Sequence, residues 1–411
     1  MKTKIILLLL IIFTISLNSQ WVGVTSGTSN FLTSIQGIST ANNYAAGFAG
    51  TVLRSTNAGQ TWTVQTSPAA SNINSISFPP TGLANTGWAG AVAGLFKTTN
   101  NGVNWTQQIT GAVIADVFFN DLNTGIALVG RTVRKTTNGG TNFTTITFTA
   151  NTSMIGGNIV PTTASLLYIL AINSADDSSY VFKSTNAGDT WSQVFRTTGT
   201  YFTIAFINTT TGIMGGNLGI LKRTTDGGTT WNTINSGTTK DLMCVKYASS
   251  SVVYISGETG TILKSTNGGL NWVSQASNTT SNLGSIFVYP ADDIGFAAGS
   301  GGIIVRTTNG GVVTGFVQNE NEVPQNYSLK QNYPNPFNPS TSIKFSIMNA
   351  GLVQIKVYDL LGKERANVVN QELPAGTYKT EFDAGALPSG TYFYRMQAGG
   401  YSQTKKMVLV K

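Results

Sequence analysis

The chain of 411 residues has no histidine and one cysteine, Cys244. Without histidine, Ser–His and Cys–His nucleophile pairs are excluded, as are histidine-ligated metals. One cysteine excludes an internal disulfide. In Leu242-Met-Cys-Val it reads as a small apolar residue of an inner strand. Charged residues make up 10%, against a usual ~25%. Long apolar runs are scarce too. Ile5–Leu17 spans thirteen residues, follows Lys2 and Lys4 and precedes Ser19. That is too short to cross a bilayer, and it predicts a signal peptide over 1–19. No other stretch predicts a transmembrane segment.

The net charge of +8 is unevenly spread. The first segment carries two lysines, and residues 326–411 hold ten Lys/Arg against five Asp/Glu. The rest holds thirteen against twelve, so a nucleic-acid partner is not expected.

Glycine is abundant, 46 residues, and much of it falls in one pattern. An eleven-residue stretch, fullest in Leu221-Lys-Arg-Thr-Thr-Asp-Gly-Gly-Thr-Thr-Trp231, occurs seven times. Its centres are Asn57, Asn100, Asn138, Asn186, Asp226, Asn267 and Asn309. Three residues before each centre stands Lys or Arg, and two after stands Gly. Five after stands an aromatic in six copies: Trp62, Trp105, Phe143, Trp191, Trp231 and Trp272, with Thr314 in the seventh. Asn or Asp bonds its own backbone two residues on, and Gly takes the positive φ of the bend. Each copy therefore predicts a hairpin between two strands. A bend centred one residue after the Asn places the basic residue across from the aromatic, as a cation over a ring.

The centres lie 43, 38, 48, 40, 41 and 42 residues apart, which fits one four-stranded propeller blade per repeat. The seventh copy lacks its aromatic, while Trp21-Val-Gly-Val-Thr-Ser-Gly is an orphan matching Trp231-Asn-Thr-Ile-Asn-Ser-Gly. Trp21 is thus expected to close the ring as the last strand of the seventh blade, which removes an open edge. The pattern resembles the Asp-box (BNR) repeat of sialidases and sortilin-type propellers. With the upstream Gly257–Ile262, it is also similar to the photosystem II assembly factor-like repeat family. The resemblance implies a seven-bladed β-propeller, and the box residues and aromatics are read as structural. Blade four is irregular, and its Asn173–Tyr180 turn offers Asp176 and Asp177 as a candidate binding loop.

Residues 317–327 are polar and aperiodic and predict a linker. Beyond them, three prolines in Pro334-Asn-Pro-Phe-Asn-Pro339 prohibit a helix. Alternating strands are predicted at Ser342–Ile347, Leu352–Tyr358, Tyr378–Phe382, Thr391–Met396 and Lys405–Val410, forming a small β-sandwich with Ig-like strand alternation. The opening with Asn335, Pro336, Phe337 and Asn338 belongs to a recognisable set. So do Val357-Tyr-Asp-Leu-Leu-Gly362, Ser389-Gly390-Thr-Tyr392-Phe-Tyr394 and the basic end with Lys405 and Lys406. Together they resemble the type A C-terminal sorting domain of the type IX secretion system. That resemblance implies the secretion machinery as a partner, and export across the outer membrane by way of the periplasm.

The expected architecture is all-β: signal peptide 1–19, propeller 20–316, linker 317–327 and sorting domain 328–411, acting as a monomer without a cofactor or metal. No arginine cluster suits a sialidase. The carboxylates Asp116, Asp121, Asp241, Glu258, Asp292 and Asp293 leave a glycosidase pair open. Two functions follow: a secreted or surface propeller binding a protein or glycan without catalysis, or a glycoside hydrolase of the Asp-box propeller type.

Overall fold

The structure is a computed structural model. It describes residues 21–79, 85–149, 151, 154–290, 294–310, 316–318, 324, 326–373, 375–385 and 387–410. The predicted signal peptide, Asp292, Asp293 and Thr314 lie outside the described residues.

Among the described residues, seven four-stranded antiparallel sheets form the propeller. Blade 1 is a meander of Leu32–Gly37, Asn43–Gly47, Val52–Ser55 and Thr63–Val64, running from the axis outward. Blades 2 to 6 repeat it, starting at Ile73, Asp116, Met154, Tyr201 and Leu242. Blade 7 takes Leu283–Val288, Gly295–Gly299 and Ile304–Thr307, and its outer strand is Val22–Val24. Val22 pairs with Arg306, the slot in which Thr63 pairs with Arg54 in blade 1. Trp21 is fully buried beside Tyr254, in the position predicted for it.

The second strand of each blade is covered on both faces by neighbouring blades, which is why it reads Asn-Tyr-Ala-Ala-Gly or Gly-Phe-Ala-Ala-Gly rather than alternating. At Gly299 a Cβ would lie 1.8 Å from the Asn282 carbonyl, so no larger residue fits. The apolar cores lie between blades. One joins Phe296, Ala298 and Ile304 of blade 7 to Leu32, Leu53 and Trp62 of blade 1. Fully burying each large side chain stabilises by roughly 1.5–3 kcal/mol.

A polar ring runs around the inner strands. Most inner strands carry a bulge near their start, and the residue after it turns a polar side chain to the next blade. Ser34 Oγ accepts the Ile76 N–H at 3.4 Å, and Asp116 Oδ2 accepts the Ile159 N–H at 2.8 Å. Thr203 Oγ1 accepts the Val245 N–H at 3.0 Å, and Ser285 Oγ accepts the Ile35 N–H at 3.2 Å, joining blade 7 to blade 1. Cys244 holds the same slot in blade 6, half-buried, with Sγ 3.9 Å from the Ile286 carbonyl.

The C-terminal unit is a two-sheet sandwich. One sheet runs Phe316–Gln318, Gly376–Asp383, Ser340–Ile347, Ser328–Leu329. The other runs Glu364–Leu373, Gly351–Tyr358, Gly390–Ala398, Tyr401–Leu409. Phe345, Ile355, Tyr394 and Met407 fill the shared core. Two features depart from expectation. The segment 316–318, which straddles the predicted boundary of propeller and linker, pairs with this sandwich, and Glu364–Leu373 adds a strand that the polar sequence did not announce.

Candidate functional site

The repeated box is a built turn. In the fifth copy, Thr224 Oγ1 donates to Asp226 Oδ1 at 2.8 Å and accepts the Gly228 N–H at 3.0 Å. The carboxylate in turn accepts the Thr230 N–H at 2.9 Å and its hydroxyl at 2.6 Å. The Thr230 hydroxyl first, then its N–H and Thr224, pull the Asp226 carboxyl down to about 2. Asn57, Asn100, Asn138, Asn186 and Asn267 take the same bonds through Oδ1. Asn309 accepts the Thr307 hydroxyl at 2.9 Å. Two successive residues after the centre, such as Gly227 and Gly228, have positive φ.

Those two left-handed residues change the register. Arg54 pairs with Thr63, Lys97 with Thr106 and Arg223 with Asn232, so the basic residue faces the position after the aromatic. The expected cross-strand pairing of cation and Trp is therefore corrected. The indole folds back instead: Trp105, Trp191 and Trp231 donate Nε1–H to the Gly102, Gly188 and Gly228 carbonyls at 3.2, 3.0 and 3.0 Å. Trp21, Trp62 and Trp231 are buried; Trp105, Phe143, Trp191 and Trp272 are half-buried.

The basic residues find other rings, on the second strand of their own blades. Arg54 lies over Tyr44, Lys97 over Trp88, Lys183 over Tyr168 and Lys264 over Tyr254. They also reach the next blade's box. Lys97 donates to the Gly139 carbonyl (2.8 Å), Arg223 to Gly268 (2.9 Å), Lys264 to Gly310 (2.7 Å) and Arg306 to Ala58 (2.6 Å). Lys135 pairs with Asp189 at 2.6 Å. Tyr44 and Tyr168 hydroxyls bridge the two remaining interfaces, to the Asn101 and Gly227 carbonyls. Every blade boundary is thus latched at the box face.

The opposite face carries the turns between second and third strands. Here the blades differ: Phe48, Val92, Leu218 and the Asp176–Asp177 tip are exposed. Asp176 pairs with Arg196 at 2.9 Å, and the Ser178 N–H, with Arg196, holds its carboxyl below its ordinary value. Asp177 has φ 51 at the tip. Among the described residues no three Cys, Asp or Glu side chains gather as metal ligands.

The described candidate carboxylates fall in two blades, Asp116 and Asp121 in blade 3 and Asp241 and Glu258 in blade 6, where the Glu258 N–H donates to the Asp241 carbonyl at 2.9 Å. Asp116 belongs to the polar ring. Burial pushes its carboxyl up, against hydrogen bonds from Ser75, the Ile159 N–H and the Val117 N–H and the charge of Lys246. Asp121 caps a turn through the Asn123 and Thr124 N–H groups. Asp241 accepts the Leu218 N–H at 2.9 Å, the place Asn72 and Asn282 take in other blades. Glu258 begins a short turn after blade 6's second strand.

In the sandwich, two distant stretches meet. Asn335 Oδ1 accepts the Val408 N–H at 2.8 Å, and its Nδ2 lies 3.5 Å from the Lys406 carbonyl. Phe337, buried, donates its N–H to the Val408 carbonyl and accepts the Val410 N–H, both at 3.0 Å. The opening, with Pro336 and Asn338 exposed, is thus a clasp on the last strand beside Lys405 and Lys406. Gly390 begins the neighbouring strand, and Tyr392 Oη donates to the Pro388 carbonyl at 2.8 Å. Gly362, at φ 77, turns the adjacent hairpin.

Comparisons agree with both halves. In fold, the chain is similar to YCF48 bound to a D1 peptide, with a TM-score of 0.61 at 19% identity over 71% of this chain and 97% of that one. YCF48 from Cyanidioschyzon merolae gives 0.59 at 19% identity over 71% and 99%. The GH74 xyloglucanase from Xanthomonas campestris gives 0.56 at 12% identity over 93% and 74%. No curated protein matches in sequence. Residues 331–411 match the family described as the secretion system C-terminal sorting domain. The protein is a seven-bladed β-propeller that carries a C-terminal sorting domain of the type IX secretion system.

Proposed function

We propose that the protein is a secreted or cell-surface propeller that binds a protein or glycan without catalysis, delivered through the periplasm by its sorting domain. The observation that carries this reading is the fate of the described carboxylates. Asp116 and Asp121 in blade 3 and Asp241 in blade 6 accept backbone N–H groups, and each is explained by a repeat position. A glycosidase needs two carboxyl groups about 5–9.5 Å apart across one bond, one of them free to give a proton.

The turn face supports binding. It mounts a different exposed side chain on each of several blades, held by a latched scaffold, and rigid scaffolds with variable loops suit recognition. Phe48 packs against Phe31 with ring centroids 5.3 Å apart and planes tilted by 47°, and Leu218 stands out beside Asp241. That a similar propeller is bound to a peptide makes an extended peptide the first ligand class to try.

The test pairs a binding screen of peptides and glycans with a xyloglucan hydrolysis assay on the purified chain. Saturable binding weakened by Phe48→Ser or Leu218→Ser, with no sugar release, is the expected result. Sugar release abolished by Asp116→Asn or Asp241→Asn would establish the hydrolase instead.

A further inference from the structure

The four stretches on which the sorting resemblance rests are scattered in sequence and gathered in space. Glu364, Tyr358, Phe393 and Lys406 lie in one row across the second sheet of the sandwich. Beyond Tyr358 comes the hairpin tip Asp359–Lys363. Beside it come the start of the next strand at Gly390 and the end of the last strand, held by the Asn335–Phe337 clasp. All four stretches therefore share one end of the sheet.

That end presents apolar side chains to water on a fixed frame. Leu360 is 70% exposed, Leu361 92% and Tyr333 81%. Tyr333 sits between Gln331 and Asn335, both of which reach the Lys406 carbonyl. The tip is rigidly made: Asp359 Oδ1 accepts the Leu361 and Lys363 N–H groups at 2.9 and 3.0 Å, and Gly362 takes φ 77. None of these leucines contributes to the core, so folding gives no reason for them. Among the described side chains the charge there is net positive. Asp359 is paired with Arg365 at 2.7 Å and Glu364 with Lys356 at 3.0 Å, which leaves Lys363, Lys405 and Lys406 in excess on this end of the sheet.

We propose that this end of the sandwich, with Leu360, Leu361, Tyr333, Lys363 and Lys406 as its contacts, is the surface by which the export apparatus reads the sorting domain. Its occupant is an apolar pocket of that apparatus rimmed by carboxylates, the complement in shape and charge of two leucines and an aromatic ringed by lysines. Asn335 is a positioning residue: it fixes the last strand against the tip without offering the contact itself. The inference rests on the sorting reading and specifies where that signal lies.

The test is secretion of the full chain from a host with type IX secretion, with melting of each purified variant alongside. Leu360→Ser/Leu361→Ser should leave melting unchanged and lower the extracellular level about tenfold or more, as removal of anchor side chains does. Lys363→Glu/Lys406→Glu should do the same, and it is decisive if the leucine variant melts lower. Leu352→Ser, at the opposite end of the same sheet, should be secreted normally. Normal secretion of both tip variants overturns the proposal, and so does an equal loss in the Leu352 variant. Normal secretion of a chain lacking 328–411 would instead overturn the sorting reading beneath it.

Discussion

Replacing Trp231 by alanine tests how the repeat works. The indole is 7% exposed, packs edge-on against Phe206 at 5.9 Å and donates to the Gly228 carbonyl at 3.0 Å. Truncating a buried Trp costs about 3–5 kcal/mol, and the lost hydrogen bond is part of that. Trp231→Phe keeps most of the packing and loses the donor, so it should cost about 1–2 kcal/mol. Double-mutant cycles then separate the two registers. If Trp231 works with Phe206, Trp231→Ala and Phe206→Leu should couple by about 0.5–1.5 kcal/mol. Arg223 points away, to the Gly268 carbonyl of the next blade, so its coupling to Trp231 should stay within ~0.5 kcal/mol. Urea unfolding followed by far-UV circular dichroism gives these values. Strong coupling to Arg223 and none to Phe206 would refute the register and restore the simple hairpin.

Other expectations follow from the same turns and latches. Arg306→Met removes the bond to the Ala58 carbonyl across the ring closure and should destabilise by about 1.5–3 kcal/mol, read in urea. Deleting Trp21–Gly27 strips blade 7 of its outer strand and should drive aggregation in light scattering, since an exposed edge is a pairing template; a monomer with unchanged melting would contradict closure. Ala58 and Ala187 sit at φ 57 and 55, where glycine is unstrained, so Ala58→Gly/Ala187→Gly should raise stability by roughly 0.5 kcal/mol per site after the unfolded-state cost. The Asp226 carboxyl is depressed to about 2 from 3.8, so its contribution is complete above pH 4 and is lost as pH falls towards 2; Asp226→Asn should flatten that part of the melting curve between pH 2 and 5 relative to the parent.

Much of the propeller was legible because its determinants are local. Asn followed by Gly two residues later names a turn, and seven copies at blade spacing name the ring. The orphan strand at Trp21 was legible for the same reason, as a missing aromatic answered by a spare one. The register was not, because it depends on two consecutive left-handed residues, and Ala58, Asn101 and Ala187 adopt that conformation without being glycine. The latches were hidden because a Lys at one box meets a carbonyl some 42 residues on, and backbone carbonyls leave no mark in sequence. Glu364–Leu373 escaped notice because an edge strand with polar side chains lacks a clear alternation, and extra residues at Arg365 and Val368 break its period. The candidate carboxylates looked available only while their backbone partners were unknown. Asp241 reads as a free acid until the Leu218 N–H is placed against it.

The most direct test of the account is fractionation of cells with type IX secretion that express the full chain or the chain without residues 328–411. The full chain should appear outside the cell or on its surface. The truncated chain should accumulate in the periplasm as a folded, monomeric propeller, because its ring closes on Val22–Val24 and needs nothing from the tail. Truncated protein outside the cell at the full chain's level would contradict the assignment of the tail, and an unfolded truncated protein would contradict the self-contained ring.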